Sequence, residues 1–179
     1  METKHIQKFK WFWAWNDEKE EAWLEKMASE GWNLCGLGLP GNYSFESGKP
    51  RKDVYRLDYI IDQKDYQNYL QLFNDAGWEH IGKMAGWQYF RKPYQGDLVP
   101  EIYTDNASKA QKYQRLLIFL IILLPVLLIS VTRPVSAGST LFDFYSILKT
   151  IMGFFLIFYA YAIVRIFLRI NQLLKKRSE

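Results

Sequence analysis

Few residues in the sequence are of the types that do acid–base, nucleophilic or metal chemistry. The histidines are His5 and His80, and His80 follows Glu79 in a predicted strand, where neighbouring side chains point to opposite faces. Cys35 is the single cysteine, which excludes an intramolecular disulfide and a cysteine-based zinc site, and we expect it to be a small core residue. The glycines of residues 36–41 lie in a predicted hairpin, whereas a phosphate loop needs them at a helix start. We therefore expect no catalytic residue, no metal or other cofactor, and no enzymatic activity.

Aromatic and charged residues that alternate along two predicted strands, residues 9–15 and 54–61, carry more information. If these strands are adjacent and central in one sheet, one face carries Trp11, Trp13, Trp15, Tyr55 and Tyr59. The other face then carries Lys10, Phe12, Arg56 and Asp58. Since helices need to cover only one face, the other is an expected interaction face for a partner. Two alternatives stay open: the aromatic set lines a small-molecule cleft, or all of these side chains are core packing.

An internal repeat contains both strands. Residues 9–45 and 55–90 align at an offset of 46 positions, with Gly31-Trp32 on Gly77-Trp78. The alternating apolar residues upstream align in the same register, and so do the apolar residues at helical spacing between them. The recurrence predicts that one structural unit is present twice.

Each unit is predicted to form a strand, a helix and a hairpin of two strands. Asn16 and Asp62 stand where a helix N-cap is expected, and Gly31 and Gly77 stand where a left-handed C-cap is expected. The sequence thus predicts an α+β domain at residues 1–92 with two β-α-β-β halves in a tandem ferredoxin-like arrangement. The halves are residues 8–47 and 53–92.

Charge is distributed unevenly along the chain. Residues 1–115 contain 16 Lys/Arg and 17 Asp/Glu, whereas residues 116–179 contain seven and two, so the C-terminal third accounts for the net charge of +4. Nucleic-acid binding needs basic residues clustered on a soluble face. The soluble part has no such excess, and we expect no nucleic-acid partner.

Two apolar stretches in the C-terminal third are long enough to cross a membrane. Residues 116–131 contain no charge and span about 24 Å as a helix, close to a hydrocarbon core of about 30 Å. The second stretch is interrupted only by Lys149 and Arg165, which can snorkel to opposite interfaces. We predict a two-helix transmembrane hairpin at residues 116–132 and 147–168, with a linker and juxtamembrane helix at 93–115 and a basic tail at 169–179.

Positive charges flank the two predicted spans unequally. Only Arg133 and Lys149 belong to the loop between the spans. The outer flanks carry Lys109, Lys112, Arg115, Arg165, Arg169, Lys175, Lys176 and Arg177. Because the side richer in Lys and Arg is normally cytoplasmic, the pattern predicts a plasma-membrane protein with both termini in the cytoplasm.

Two segments carry a resemblance to a known family. They are KFKWFWAWNDEKEEAWLEKMASEGWNL at residues 8–34 and YSFESGKPRKDVYRLDY at residues 43–59. Over about residues 8–92 the sequence resembles DUF2812, a bacterial family of unknown function. The resemblance implies a protein of Gram-positive bacteria with C-terminal membrane spans. It also implies a regulatory or stress-response setting, because members of the family often neighbour PadR-like transcriptional regulators.

Together these features favour a membrane-tethered cytoplasmic module that binds a protein partner in regulation or envelope-stress signalling. Its mechanism would be recruitment, because the hairpin confines the domain near the bilayer. The expected partners are the lipid bilayer, a regulatory protein and a second copy of the chain. The alternative function is a ligand-sensing domain whose aromatic residues bind an apolar small molecule.

Overall fold

The computed structural model describes residues 4–61, 64–94, 96, 98–133 and 142–175, without the side chains of residues 142 and 143. The first half of the repeat contains β1 His5–Phe9, α1 Asp17–Ser29, β2 Trp32–Gly38 and β3 Asn42–Ser47. The second half contains β4 Asp53–Tyr59, α2 Tyr66–Asp75, β5 Glu79–Met84 and β6 Trp87–Pro93. Two long helices follow, α3 Asn106–Thr132 and α4 Phe142–Lys175. The α+β class and the β-α-β-β order of each half are therefore confirmed.

Each half forms its own antiparallel three-stranded sheet, with strand orders β1-β3-β2 and β4-β6-β5. The duplication extends to a backbone irregularity, because bulges fall between Leu34 and Gly36 in β2 and between His80 and Gly82 in β5. The expectation that the first strands of both halves are adjacent and central is wrong. Each is an edge strand of a separate sheet, because the final strand of each half takes the centre.

The alternating tryptophans do not extend β1, which ends at Phe9. Residues 10–16, called here the tryptophan loop, leave the sheet after the Lys10 N–H donates to the Gly41 carbonyl at 2.9 Å. The Asn16 N–H then closes a turn onto the Trp13 carbonyl at 2.7 Å. The alternation thus predicted a strand that forms in the second half, where β4 continues to Tyr59, but not in the first.

The helix ends agree with the sequence in part. Asn16 precedes α1 as predicted, but its side chain makes no capping hydrogen bond. The residue that precedes α2 is Asp65, and the predicted Asp62 lies outside the described residues. Gly31 and Gly77 have φ values of +85° and +79°, so the left-handed C-caps are confirmed.

Three buried clusters hold the elements together. Leu24 of α1 belongs to the largest cluster, with residues of both sheets such as Phe45 and Leu57. In a second cluster α2 packs on the second sheet, where Phe73 stacks on Phe90 with ring centroids 4.2 Å apart. The third cluster joins the end of β4 to α3 and α4. It contains Tyr59, Tyr113, Leu116, Ile166, Ile170 and Leu173.

Helices α3 and α4 are both long and apolar enough to cross a membrane. α3 begins where the Asp105 side chain accepts a hydrogen bond from the Ser108 N–H at 2.8 Å, and it continues without a break through Pro125. The predicted juxtamembrane helix thus joins the first apolar stretch directly. α3 and α4 pack antiparallel, and the Tyr159 hydroxyl donates to the Leu120 carbonyl at 2.6 Å.

Candidate functional site

A cleft of about 330 Å³ lies where the tryptophan loop meets the two sheets and the long helices. Most of its wall is apolar. The rings that line it include Trp11, Trp13, Trp15, Trp87, Phe155 and Phe158. The acids Asp17 and Glu20 also line it, together with Tyr43 and Tyr89. Apolar walls with a few convergent polar groups are typical of a small-molecule site.

The tryptophan loop is docked on α4 by aromatic contacts. The rings of Trp13 and Trp15 stack with centroids 5.6 Å apart and 7° between their planes. Trp13 lies 4.9 Å from Phe158 between ring centroids, and Trp15 lies 5.8 Å from Tyr161. The loop therefore follows the apolar surface of α4 and forms one wall of the cleft.

Glu20 is the acid of the cleft that lacks a cationic partner. It is 7% exposed, and its Oε1 accepts hydrogen bonds from the hydroxyls of Tyr43 (2.6 Å) and Tyr89 (2.5 Å). Within the described chain, no basic side chain is paired with Glu20 and no hydrogen bond reaches its Oε2. Burial raises the pKa of Glu20, the two tyrosine hydroxyls lower it in part, and the charge of Asp17 raises it further.

Asp17, one turn earlier, has a cationic partner. Its Oδ2 lies 2.5 Å from the Lys112 ammonium, and both side chains are 2% exposed. Its Oδ1 accepts a hydrogen bond from the Tyr113 hydroxyl at 2.6 Å. This buried ion pair ties the start of α1 to α3 directly beside the cleft.

The outer edge of β4 is covered by side chains from α1 and α3 in place of another strand. The N–H groups of Tyr55 and Leu57 donate to Glu25 (3.3 Å) and Glu21 (2.8 Å). Burial raises the pKa of Glu21 to about 8, although the charge of Lys112 acts in the opposite direction. Both acids lie on α1, so this helix satisfies donors on the edge of β4 that pairs with no other strand.

Two basic residues of α3 satisfy the carbonyls of the same edge. Lys112 donates to the Leu57 carbonyl at 3.0 Å, and Arg115 donates to the Tyr59 carbonyl at 2.6 Å. Arg115 also pairs with Asp58 at 2.6 Å. The N-terminal part of α3 is thereby fixed to β4 by charge-assisted bonds.

The predicted interaction face of Lys10, Phe12, Arg56 and Asp58 does not exist as an exposed surface. Arg56 is 9% exposed and pairs with Glu25 and Glu101, while Asp58 is 3% exposed. These two lie in β4, whereas Lys10 and Phe12 lie in the tryptophan loop. The prediction fails because the two segments that it placed side by side belong to different elements.

The predicted aromatic set is divided by the structure. Trp11, Trp13 and Trp15 line the cleft. Tyr55 and Tyr59 are buried, at 0% and 4% exposure, and neither lines it. Tyr59 packs its ring 5.4 Å from that of Trp87, which does line the cleft.

Several residues expected to orient the chain in a membrane have structural partners. Lys112 and Arg115 bind β4 as described above, and Arg169 pairs with Glu18 of α1. Arg165 lies 6.0 Å from the Tyr161 ring, and Lys175 also has an interaction partner. Lys176 and Arg177 lie outside the described residues.

The residues considered for chemistry lie away from the cleft. His80 Nε2 is 3.1 Å from the Gln88 side-chain oxygen, and burial lowers the His80 pKa. Cys35 is exposed, so the expectation of a core cysteine is wrong; it occupies the β2 bulge. Among the described residues, no group of three or more His, Cys, Asp or Glu side chains could hold a metal ion.

No pattern in the sequence marked Glu20, Tyr43 and Tyr89 as members of the site. Acids in the first turn of a helix are favoured by the helix dipole even when they are solvated, so their positions in the sequence do not identify a buried acid. Glu20 and Tyr89 are 69 positions apart. The tryptophan spacing was the available signal. It grouped Trp11, Trp13 and Trp15, which do line the cleft, but it predicted a strand where the structure has a loop.

A family model described as "Protein of unknown function (DUF2812)" matches residues 16–124. The match covers most of the two halves and continues into α3. Neither the curated proteins nor the solved structures contain a match to the chain.

Proposed function

Given that the chain belongs to the DUF2812 family, whose function is unknown, we propose that it is a membrane-anchored ligand-sensing protein. Its aromatic cleft binds an apolar small molecule at the cytoplasmic face of the plasma membrane. The observation that carries this proposal is a 330 Å³ cleft whose wall is shared by the soluble region and both long helices.

The surface around the cleft supports a position at the bilayer. Trp11 and Trp13 are 54% and 40% exposed, and nearby Leu39, which also lines the cleft, is 69% exposed. They line the cleft together with Phe155 and Phe158, which are exposed on α4. Tryptophan is favoured at membrane interfaces, so the loop would dip into the inner leaflet. An apolar ligand would then enter from the lipid.

The shared wall also gives ligand binding a route to a response. Leu116 and Ile166 come from the two helices, and Tyr89 comes from the second sheet. A ligand that contacts all three elements favours whichever arrangement of helices and domain it fits best. The response would be a change in how the domain is held against the hairpin.

The binding proposal can be tested by photo-crosslinking of the full chain in phosphatidylcholine nanodiscs. The probe is decanol with a mid-chain diazirine, and adducts are mapped by peptide mass spectrometry. We expect adducts on cleft residues such as Trp13 and Met84. The variant Ala162→Trp fills the cleft and should reduce these adducts about tenfold, equivalent to ~1.4 kcal/mol.

Ala160→Trp is the matched control, because Ala160 is exposed on the same helix and does not line the cleft. It should leave the cleft adducts unchanged. Adducts confined to lipid-facing residues such as Phe154, with no effect of Ala162→Trp, would show that the cleft binds no apolar molecule.

The proposed topology places Cys35 in the cytoplasm, where its exposed thiol is a natural probe. A membrane-impermeant maleimide should leave intact cells unlabelled and should label Cys35 after the membrane is opened. A Cys35→Ser chain provides the background control. Labelling in intact cells would place the soluble region outside and would overturn the cytoplasmic location.

Partner binding is a second candidate, because the outer edge of β1 is open. Within the described residues β1 pairs with β3 alone. The bonds made by Lys4 and Lys10 to the β3 hairpin imply that odd-numbered residues, including Gln7, direct their N–H groups outward. A partner segment could add as a strand at this edge.

Gln7→Pro removes that N–H without breaking the ladder to β3, and Gln7→Thr is the matched control. If strand addition recruits a regulatory protein, proteins recovered with the membrane-extracted wild type and the Thr variant should be lost with the Pro variant. Equal recovery with all three chains would exclude this edge as the binding surface.

A further inference from the structure

We propose that the ligand of the cleft is an amphiphile with an organic cation as its head group, and that Glu20 recognises the cation. This inference rests on the proposed ligand-sensing function and names the chemical class of the ligand. The apolar tail would occupy the part of the cleft between the tryptophan loop and α4.

The first argument is the charge balance at the inner end of the cleft. Asp17 is neutralised by Lys112, whereas Glu20 has hydrogen-bond donors but, among the residues that the structure describes, no ion-pair partner. The two tyrosine hydroxyls share one carboxylate oxygen, Oε1. Oε2 can therefore accept a hydrogen bond from a ligand or attract its positive charge. A buried acid gains most from an opposite charge placed in the same low-dielectric site.

The second argument is the aromatic wall. Cations bind to the faces of tryptophan, tyrosine and phenylalanine, with energies of about 2 kcal/mol when desolvated. Rings at the cleft already do this within the protein. The Lys10 ammonium lies 5.1 Å from the centroid of Phe12, and the Lys112 ammonium lies 5.9 Å from that of Trp87. A quaternary ammonium group held beside Glu20 would make the same type of contact with the rings that line the cleft near this acid, such as Tyr43 and Tyr89.

Lys10 is the basic residue that lines the cleft, and it opposes a cationic ligand. Its ammonium is directed toward Trp23, 4.7 Å from the ring centroid, and Trp23 does not line the cleft. Lys10 therefore weakens cation binding without occupying the position beside Glu20. Its removal should strengthen binding, which gives a test of opposite sign to the removal of Glu20.

Binding of a cation should be coupled to proton release. A cation stabilises the ionised form of Glu20, so over the pH range in which this carboxyl group titrates, ligand binding releases its proton to solvent. The titratable and charged groups that face Glu20 are Tyr43, Tyr89 and Asp17, with Lys112 behind Asp17 and Lys10 across the cleft. Affinity for a permanently charged cation should therefore rise as the pH is raised.

The test is competition against the decanol diazirine probe in phosphatidylcholine nanodiscs, with three competitors of equal chain length. These are decyltrimethylammonium, decanol and decanoate. At pH 8 we expect the ammonium to displace the probe at a concentration at least tenfold lower than decanol, with decanoate the weakest. The advantage of the ammonium over decanol should shrink at pH 5.5.

Glu20→Gln keeps the acceptor for both tyrosines and removes the charge, so the ammonium and decanol should then compete equally. Lys10→Gln should increase the advantage of the ammonium, and this variant is informative even if Glu20→Gln does not fold. Glu30→Gln, at the exposed C-terminal end of α1, is the matched control and should change nothing.

Two failures can be told apart. If the probe labels the cleft but the three competitors displace it equally, or if decanoate is the strongest, the cleft binds apolar molecules and the cation assignment is wrong. If the probe does not label the cleft at all, the proposed function fails together with this inference.

Discussion

The two halves of the repeat share a framework but not a role. In the second half the first strand, β4, continues to Tyr59 and is buried along its whole length, whereas β1 in the first half ends at Phe9 and is mostly exposed. The residues that follow the end of β1 become the tryptophan loop. The difference lies in what covers the strand: the outer edge of β4 is bonded to α1 and α3, and that of β1 is not.

The helices of the two halves differ in the same way. α1 buries Asp17, Glu20 and Glu21, and α2 has no buried residue. At the repeat offset, Glu20 and Glu21 align with Tyr66 and Gln67. The two halves thus share the C-cap glycines and the strand bulges. The acids that cover the edge of β4 and form the polar end of the cleft are present on α1 and not on α2.

The largest effect should come from the ion pair that joins α1 to α3. Lys112→Met keeps the aliphatic stem but leaves Asp17 buried without its cation, which costs about 3–5 kcal/mol. Lys92→Met is the control in the second half, because Lys92 is only half-buried and its ammonium donates to the Ala76 carbonyl. It should cost less than about 1 kcal/mol. Urea unfolding of the full chain in nanodiscs, followed by near-UV circular dichroism, measures both.

Equal costs for Lys112→Met and Lys92→Met would contradict the view that the buried Lys112–Asp17 pair distinguishes the helix of the first half from that of the second. A large loss of stability in both variants would show that replacing either lysine is destabilising whether or not it has an ion-pair partner. A small loss in both would show that Asp17 is hydrated in solution.

The comparison also shows what the sequence could predict. The Gly-Trp pairs revealed both halves, because C-caps are local and require left-handed glycines at Gly31 and Gly77. The alternation at residues 9–15 could not reveal that the partner of the tryptophans is α4, more than 140 positions away. Similarly, nothing local to Asp17 identifies Tyr113 as its partner, 96 positions away.

The pH dependence of stability should show the next largest difference between the two halves. Glu21 has its pKa raised by burial to about 8, so the folded chain keeps a proton that the unfolded chain loses above about 4.5. Its contribution to stability is present at low pH and is lost as the pH rises from about 4.5 toward 8. Glu20 acts in the same direction.

His80 of the second half acts in the opposite direction. Burial lowers its pKa below 6.5, so the unfolded chain binds more protons there and stability rises with pH up to about that value. Above pH 6.5 the effect of His80 is complete, whereas the raised pKa values of the acids in the first half still act. The free energy of unfolding should therefore fall between pH 6.5 and 8. Glu21→Gln should flatten that fall, and His80→Gln should leave it unchanged. A stability that rises over this interval would show that Glu21 is ionised in the folded protein.

The smallest difference concerns the two C-cap glycines, which are the most closely equivalent positions in the repeat. Both have positive φ, so alanine is strained at either by about 1 kcal/mol. At Gly31 an added Cβ would also meet the Gly48 carbonyl oxygen at 2.8 Å, and a backbone atom cannot move away without shifting β3. At Gly77 it would meet the end of the Lys92 side chain at 3.4 Å, which can rotate. We therefore expect Gly31→Ala to cost about 1 kcal/mol more than Gly77→Ala in the same urea titration. Equal costs would mean that the backbone near Gly48 yields, and that the first half is no more tightly packed at its helix end than the second.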